Sequence, residues 1–151
     1  SNQQKYINQL YFGILNYPIK HYNADIYLQK YNLVVEYDGG GHALDVVIGD
    51  ESKEEHGRKE IVRNYVIKRE GYKQMRIISS KDYLPSDAIL LQMLDEAKQY
   101  FSDYPEHSWI EYDIDASIVR NAENKNGVLY NFGKLRKISK SDIKDYNVNI
   151  A

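Results

Sequence analysis

Apolar and polar positions alternate along the chain with two different periods, and these periods separate predicted helices from predicted strands. Apolar side chains recur every three or four residues in three segments, which predicts helices at residues 3–16, 54–69 and 86–101. Runs rich in apolar, β-branched and aromatic residues predict strands at residues 18–22, 24–29, 33–38 and 72–79. The residues between the second and third strands, 30–32, predict a tight turn. The order of these elements indicates an α/β domain.

Two of the predicted helices carry an apolar stripe that we expect to face the core. In the second helix the stripe is formed by Ile61, Val62, Tyr65 and Val66. In the third helix one face is formed by Leu90, Met93, Leu94, Ala97 and Phe101. Gly71 stands where a glycine commonly terminates a helix, so we expect the second helix to end just before it.

The pattern changes after Pro105, where residues 109–115 alternate strictly between apolar and acidic positions. We expect the acidic positions, Glu111, Asp113 and Asp115, to form a solvated strand face. Residues 124–127 predict a turn and residues 128–138 a second extended segment. The sequence therefore predicts a C-terminal β-hairpin annex at 105–151, packed on a core at 1–104 within one domain.

Composition narrows the class of protein. The chain has 151 residues, 42% of them hydrophobic, which is enough for one domain with a substantial core. It has no cysteine, which excludes disulfides and thiolate metal sites and is compatible with a cytoplasmic location. No apolar run is long enough to span a bilayer, so no membrane partner is expected. The chain starts with Ser-Asn, from which we expect that it was excised from a longer protein.

Acidic residues gather at the end of the strand at 33–38. Glu36 and Asp38 are two residues apart and therefore point to the same face of a strand. A hairpin pairing with residues 24–29 would bring Asp25 beside them, and three carboxylates at one sheet edge suit a hard divalent cation. Three glycines, residues 39–41, would let the chain turn sharply before His42, which could orient or deprotonate a water.

These residues resemble the PD-(D/E)XK nuclease superfamily, in the branch related to very-short-patch repair endonucleases. The resemblance lies in Asp25 on one strand and in "EYDGGGH" at residues 36–42, which matches an E-x-D-G-x-x-H signature. Glu60-x-x-Arg63 stands in the place of a D-x-x-R motif, and Gly71-Tyr72 with Met75-Arg76-Ile77 follows at the family's interval. The resemblance covers about residues 5–101.

The resemblance implies a restriction-endonuclease-like core, with a mixed sheet of about four strands flanked by helices. It implies hydrolysis of DNA phosphodiester bonds with Mg²⁺ or Mn²⁺ as cofactor and DNA as partner. Asp25, Glu36 and Asp38 would be catalytic residues that ligate the metal, and His42 would assist the water or the leaving group. Arg63 would contact a DNA phosphate or brace the acidic cluster, and Arg58 and Lys59 on the same helix would also contact DNA. A homodimer could present two such sites to the two strands of a duplex.

Departures from the family pattern leave other functions open. Asp38 occupies the place where many members of the superfamily carry a lysine, and residues 3–15 contain no acidic residue. The net charge is -2, so DNA binding would require a local basic face. Arg63 could instead pair with Glu60 on the helix surface. The main alternative is a degenerate nuclease-fold module that binds DNA or a protein without cleavage. A metal-dependent phosphatase-like hydrolase is less well supported, because the glycines lack the lysine of a P-loop.

Overall fold

The computed structural model describes residues 1–40, 53–121 and 143–145. Its helices are α1 (Asn2–Tyr11), α2 (Lys53–Arg69) and α3 (Asp87–Asp103). Its strands are β1 (Ile14–Ile19), β2 (Tyr22–Leu28), β3 (Leu33–Asp38), β4 (Lys73–Ile78), β5 (Tyr83–Pro85), β6 (Trp109–Asp113), β7 (Ile118–Asn121) and β8 (Ile143–Asp145). A 3₁₀ turn, Gln29–Tyr31, joins β2 to β3 where the tight turn was predicted.

Six strands form one mixed sheet in the order β1-β2-β3-β4-β6-β7. The first three strands are antiparallel, β4 is parallel to both β3 and β6, and β7 is antiparallel to β6. The α/β class and the mixed sheet are thus confirmed, but the expected number of about four strands is wrong. The sheet is larger because β6 and β7, which belong to the predicted C-terminal annex, continue it through hydrogen bonds to β4.

The remainder of the predicted annex is described only at β8, which pairs antiparallel with β5. Within the annex, the predicted strand at 109–115 is confirmed as β6, but its antiparallel partner is β7 at 118–121, which was not predicted. The turn at 124–127 and the extended segment at 128–138 lie outside the described residues. No helix in the described ranges is long and apolar enough to cross a membrane.

The first helix is shorter than the predicted segment 3–16. It begins with a capping box, in which the hydroxyl of Ser1 accepts from the amide of Gln4 and the side chain of Gln4 accepts in return. It ends because Phe12 adopts the left-handed conformation, with φ 56°. Gly13 follows at a close approach to β2, where a Cβ atom would lie 2.6 Å from Ile26. The chain then enters β1 at Ile14, which the apolar spacing alone did not separate from the helix.

One face of the sheet is covered by α1 and α3 and forms the main hydrophobic core. The predicted apolar face of α3 is confirmed, because Leu90, Met93, Leu94, Ala97 and Phe101 are all buried. From the sheet, this core receives alternate residues of neighbouring strands: Val35, Met75, Ile77, Ile110, Tyr112 and Val119. Burying a side chain of this size contributes about 1.5–3 kcal/mol, so this face supplies most of the stability of the fold.

The other face is covered by α2, and here the predicted apolar stripe is wrong. Ile61, Val62 and Tyr65 are 70%, 52% and 61% exposed, whereas Ile67 is buried against β1, β2 and β3. Toward the sheet, α2 presents polar side chains instead, among them Glu60, Arg63 and Asn64. They turn inward because the sheet offers them buried polar partners, and this face therefore holds the candidate site.

Candidate functional site

A row of charged side chains crosses the sheet beneath α2. Glu36 on β3 is in register with Arg76 on β4, Arg76 with Glu111 on β6, and Glu111 with Arg120 on β7. Residues in register on neighbouring strands point to the same face, so the signs of the row alternate from strand to strand. Arg76 and Glu111 therefore have an oppositely charged neighbour on each side, and Glu36 and Arg120 have one each. This alternation explains how charged side chains are accommodated on the sheet.

The row ends at β2, where two carboxylates meet. The regular pairing of β2 with β3 ends at Ile26 and Val35. Beyond it, Glu36 Oε2 accepts from the amide of Asp25 at 3.2 Å, and Asp25 Oδ2 accepts from the amide of Tyr37 at 2.9 Å. Carboxylate oxygens thus bind main-chain amides of the neighbouring strand, and this arrangement holds the side chains of Asp25 and Glu36 together.

The proximity of the two acids changes the ionisation of Glu36, which is only 3% exposed. Burial and, next, the negative charge of Asp25 raise the pKa of Glu36 to about 8. Arg63 acts in the opposite direction, since its guanidinium favours the charged carboxylate, but its effect is smaller. Without a further cation, Glu36 is therefore an acid that titrates close to neutral pH.

Arg63 reaches this pair of carboxylates from α2. Its Nη2 donates to Glu36 Oε1. The same Nη2 donates to the main-chain oxygen of Asn23 at 3.1 Å. The side chain is 17% exposed. Arg63 therefore braces the acidic pair and remains at the solvent boundary, and its partner is Glu36 and not Glu60, the partner considered from the sequence.

Arg76 holds two further acids of the site, Asp38 and Glu60. Its Nε and Nη2 donate to Asp38 Oδ2, and its Nη1 donates to Glu60 Oε2 at 3.0 Å. Burial alone would lower the pKa of Arg76, but the negative charges of Asp38 and Glu60 outweigh it and raise the pKa above its ordinary value. Arg76 is 7% exposed and stays charged, so Asp38 has a fixed cationic partner.

A cavity of about 560 Å³ opens over these residues. Its lining includes Asp25, Glu36, Asp38, Glu60, Arg63, Arg76 and Asp82. Of the residues predicted from the sequence, the three acids and Arg63 thus share one cavity. Arg58 and Lys59 are exposed on α2 outside that lining, and His42 lies outside the described residues.

Gly39 and Gly40 follow β3 and pass close to residues 80–82. A Cβ atom on Gly39 would lie 2.0 Å from Asp82 Oδ1, and one on Gly40 would lie 2.4 Å from the main-chain oxygen of Ser80. The amide of Gly40 donates to Asp82 Oδ1 at 2.9 Å. The glycines therefore allow a close backbone approach here, which fixes where the chain leaves β3 beside the cavity.

The donor set suits a divalent cation only in part. Within residues 1–40 and 53–121, no three histidine or acidic side chains converge as a set of metal ligands. Asp25 and Glu36 do offer two adjacent carboxylates beside open space, and Mg²⁺ is commonly bound by one or two carboxylates with waters and phosphates. Asp38, the third predicted ligand, is directed to Arg76. The residues therefore fit an ion between Asp25 and Glu36.

Two functional contacts were missed from the sequence, those of Arg76 and Glu60. Arg76 was recognised only as part of a motif, and Glu60 was considered only as a partner of Arg63. A usable signal was present in β4, "KQMRII", where Gln74 and Arg76 alternate with apolar residues in a strand expected to be central. An arginine at such a position requires an acidic partner from a neighbouring element.

A comparison of the chain with protein-family models, with curated proteins and with solved structures found no match.

Proposed function

We propose that this protein is a metal-dependent endodeoxyribonuclease with a restriction-endonuclease-like core. The observation that carries the proposal is the meeting of Asp25 and Glu36 at the end of the β2–β3 pairing, in a cavity that also contains Arg63. Glu36 is buried and Asp25 is partly buried beside it, so the two carboxylates repel each other and their site is suited to a cation. The family resemblance of residues 5–101 supports DNA as the substrate.

The residues of the cavity have separate roles in this reaction. Asp25 and Glu36 would hold Mg²⁺ or Mn²⁺, which would supply a water of lowered pKa and neutralise charge on the scissile phosphate. Arg63, at the solvent boundary of the same cavity, is placed to bind a phosphate oxygen through its planar guanidinium. Its charge partly replaces the lysine that is absent at position 38. His42 would orient the attacking water or protonate the leaving oxygen.

DNA binding would occur along α2. Arg58 and Lys59 are exposed on this helix, one turn before Arg63. Because the net charge of the chain is -2, these cations provide the local basic surface that binding to phosphates requires. A homodimer with two such surfaces could cut both strands, and a cytoplasmic location is consistent with the absence of cysteine.

A second candidate function is binding without cleavage, and one observation favours it. Glu36 and Asp38 each have an arginine partner, Arg63 and Arg76, so their charges are compensated by the protein itself. A catalytically degenerate module could retain such ion pairs for stability and use α2 to bind DNA or a protein. Cleavage and binding assays separate these two functions directly.

The deciding experiment incubates the protein with supercoiled plasmid in Mg²⁺ or Mn²⁺, with EDTA as the metal-free control. We expect nicked or linear product only with metal, and none from Glu36→Gln. Glu111→Gln is the matched control, because Glu111 lies in the same charged row but outside the cavity lining. If the wild-type protein retards DNA in a gel but never cuts it, the binding function replaces the nuclease.

A further inference from the structure

Five carboxylates line the cavity, those of Asp25, Glu36, Asp38, Glu60 and Asp82. So many acids could in principle hold two cations. The two arginines of the cavity, however, pair with different numbers of these acids. Arg63 contacts only Glu36 among the acids through hydrogen bonds, whereas Arg76 contacts Asp38 and Glu60 together. The number of ions that can bind is therefore controlled by the arginines as much as by the acids.

We propose that Arg76 is a positioning residue that withholds Asp38 and Glu60 from divalent cations, so that the cavity binds a single ion between Asp25 and Glu36. This inference rests on the proposed metal-dependent function and specifies its metal site.

The orientation of Arg76 is fixed from several directions. Its Nε lies 3.2 Å from Asp38 Oδ2, its Nη1 lies 3.0 Å from Glu60 Oε2, and the same Nη1 lies 3.4 Å from Asn64 Oδ1. Asn64 in turn accepts from Gln74 Nε2 at 3.2 Å. Because Nη2 also donates to Asp38 Oδ2, all three nitrogens of the guanidinium have a partner. An ion at Asp38 would have to lie next to this positive charge.

Arg63 is more exposed to solvent than Arg76 and has fewer acidic partners, and both differences affect the entry of an ion. The side chain of Arg63 is 17% exposed and that of Arg76 is 9% exposed. Arg63 shares Nη2 between Glu36 and a main-chain oxygen, so it can move toward solvent or phosphate when an ion reaches Glu36. Arg76 is buried in the middle of β4, where separating it from its acids would leave an unpaired charge.

The test counts bound Mn²⁺ by electron paramagnetic resonance of the free ion. We expect one ion for the wild-type protein, two for Arg76→Met and one for Arg76→Lys, which keeps the positive charge. The double variant Asp38→Asn with Arg76→Met should return to one ion. Arg58→Met is the control and should bind one ion, because Arg58 is exposed on α2 outside the cavity lining.

Two single variants keep the inference testable if Arg76→Met does not fold. Asp38→Asn should leave the Mn²⁺ dissociation constant within about twofold of wild type. Glu36→Gln should weaken it more than the 10–100-fold that is typical of a residue supporting a ligand. A loss of tenfold or more in Asp38→Asn would make Asp38 a ligand and overturn the inference.

The outcomes for the two proposals are distinguishable. One ion in both the wild-type protein and a folded Arg76→Met variant would overturn the role of Arg76 and leave the proposed nuclease intact. No ion in the wild-type protein would refute the metal site of the proposed function, and the inference would fall with it.

Discussion

The two faces of the six-stranded sheet differ in the polarity of their side chains. The face beneath α1 and α3 is largely apolar, with buried residues from β3, β4 and β6, and Lys73 at the start of β4 is a charged exception beside Phe101. The face beneath α2 carries Glu36, Arg76 and Glu111 in one register row. One face thus holds the main hydrophobic core, and the other holds a smaller apolar cluster together with the candidate site. The same strands contribute alternate residues to both faces.

The largest effect on stability should come from the apolar face. Ile77 is fully buried there, one residue away from Arg76 along β4. We expect Ile77→Ala to lower the free energy of unfolding by about 2–5 kcal/mol, through lost burial and the cavity left behind. Urea denaturation measures this change. The Mn²⁺ affinity of the folded variant should stay the same, and a parallel loss of affinity would show that the two faces are not independent.

The charged face should make stability depend on pH through Glu36. In the metal-free protein the pKa of Glu36 is about 8, against an ordinary value of 4.5, so the folded state retains a proton that the unfolded state has lost. This contribution is complete below about pH 4.5 and is lost as the pH rises through 8. We expect it to amount to a few kcal/mol, on the order given by 1.4 kcal/mol per pKa unit.

The measurement is urea denaturation in EDTA at pH 5 and pH 8, for wild type and Glu36→Gln. Glutamine cannot titrate, so the difference between the two proteins isolates Glu36 from the other ionisable groups. An equal pH dependence in both proteins would mean that Glu36 is ionised throughout this range. Its pairing with Arg63 would then dominate over burial.

His42, which follows the glycines after β3, has a role in the proposed cleavage reaction that can be tested. We expect His42→Ala to reduce metal-dependent cleavage by roughly a hundredfold or more, the usual range for a general acid or base. Mn²⁺ binding should be retained, because His42 is not proposed as a ligand. If His42→Ala cuts plasmid as fast as the wild-type protein, the residue has no part in the reaction.

The smallest effect is expected on the outer surface of α2. Ile61 is 70% exposed, so Ile61→Ala should change the free energy of unfolding by less than about 0.5 kcal/mol. Leu90→Ala, on the buried face of α3, is the matched control and should cost several times more. A loss of more than about 1 kcal/mol in Ile61→Ala would show that this side chain is covered in solution.

The sequence was informative where periodicity and burial agree. The bounds of β3 were predicted correctly at residues 33–38. The buried face of α3 was predicted from the helical spacing of its apolar residues, because these residues are stable only when they pack against the core. The same reasoning failed for α2, whose apolar residues Ile61 and Tyr65 are exposed. Its orientation is set by Arg63 and its contact with the sheet, and a hydrophobic pattern carries no information about such contacts.

The candidate site was predictable in its acids and not in their partners. Asp25, Glu36 and Asp38 were located from strand alternation and from the family resemblance, and they do line one cavity. Their division between two arginines depends on the register of β4 against β3, which brings together residues about 40 positions apart. The prediction of a solvated acidic face is confirmed for Asp115, which is exposed. It is wrong for Glu111 and Asp113, which are half-buried and bind Arg120, for the same reason.

Where β2 and β3 separate, two main-chain amides donate to side-chain carboxylates and not to main-chain carbonyls. Their protons are therefore sensitive to whether the cavity is occupied. The amide of Asp25 donates to Glu36, and the amide of Tyr37 donates to Asp25. Any event that draws those oxygens toward another group withdraws the acceptors of both amides. Hydrogen–deuterium exchange at these two positions should therefore report on occupancy of the cavity, whereas exchange in the middle of β4 should be unaffected.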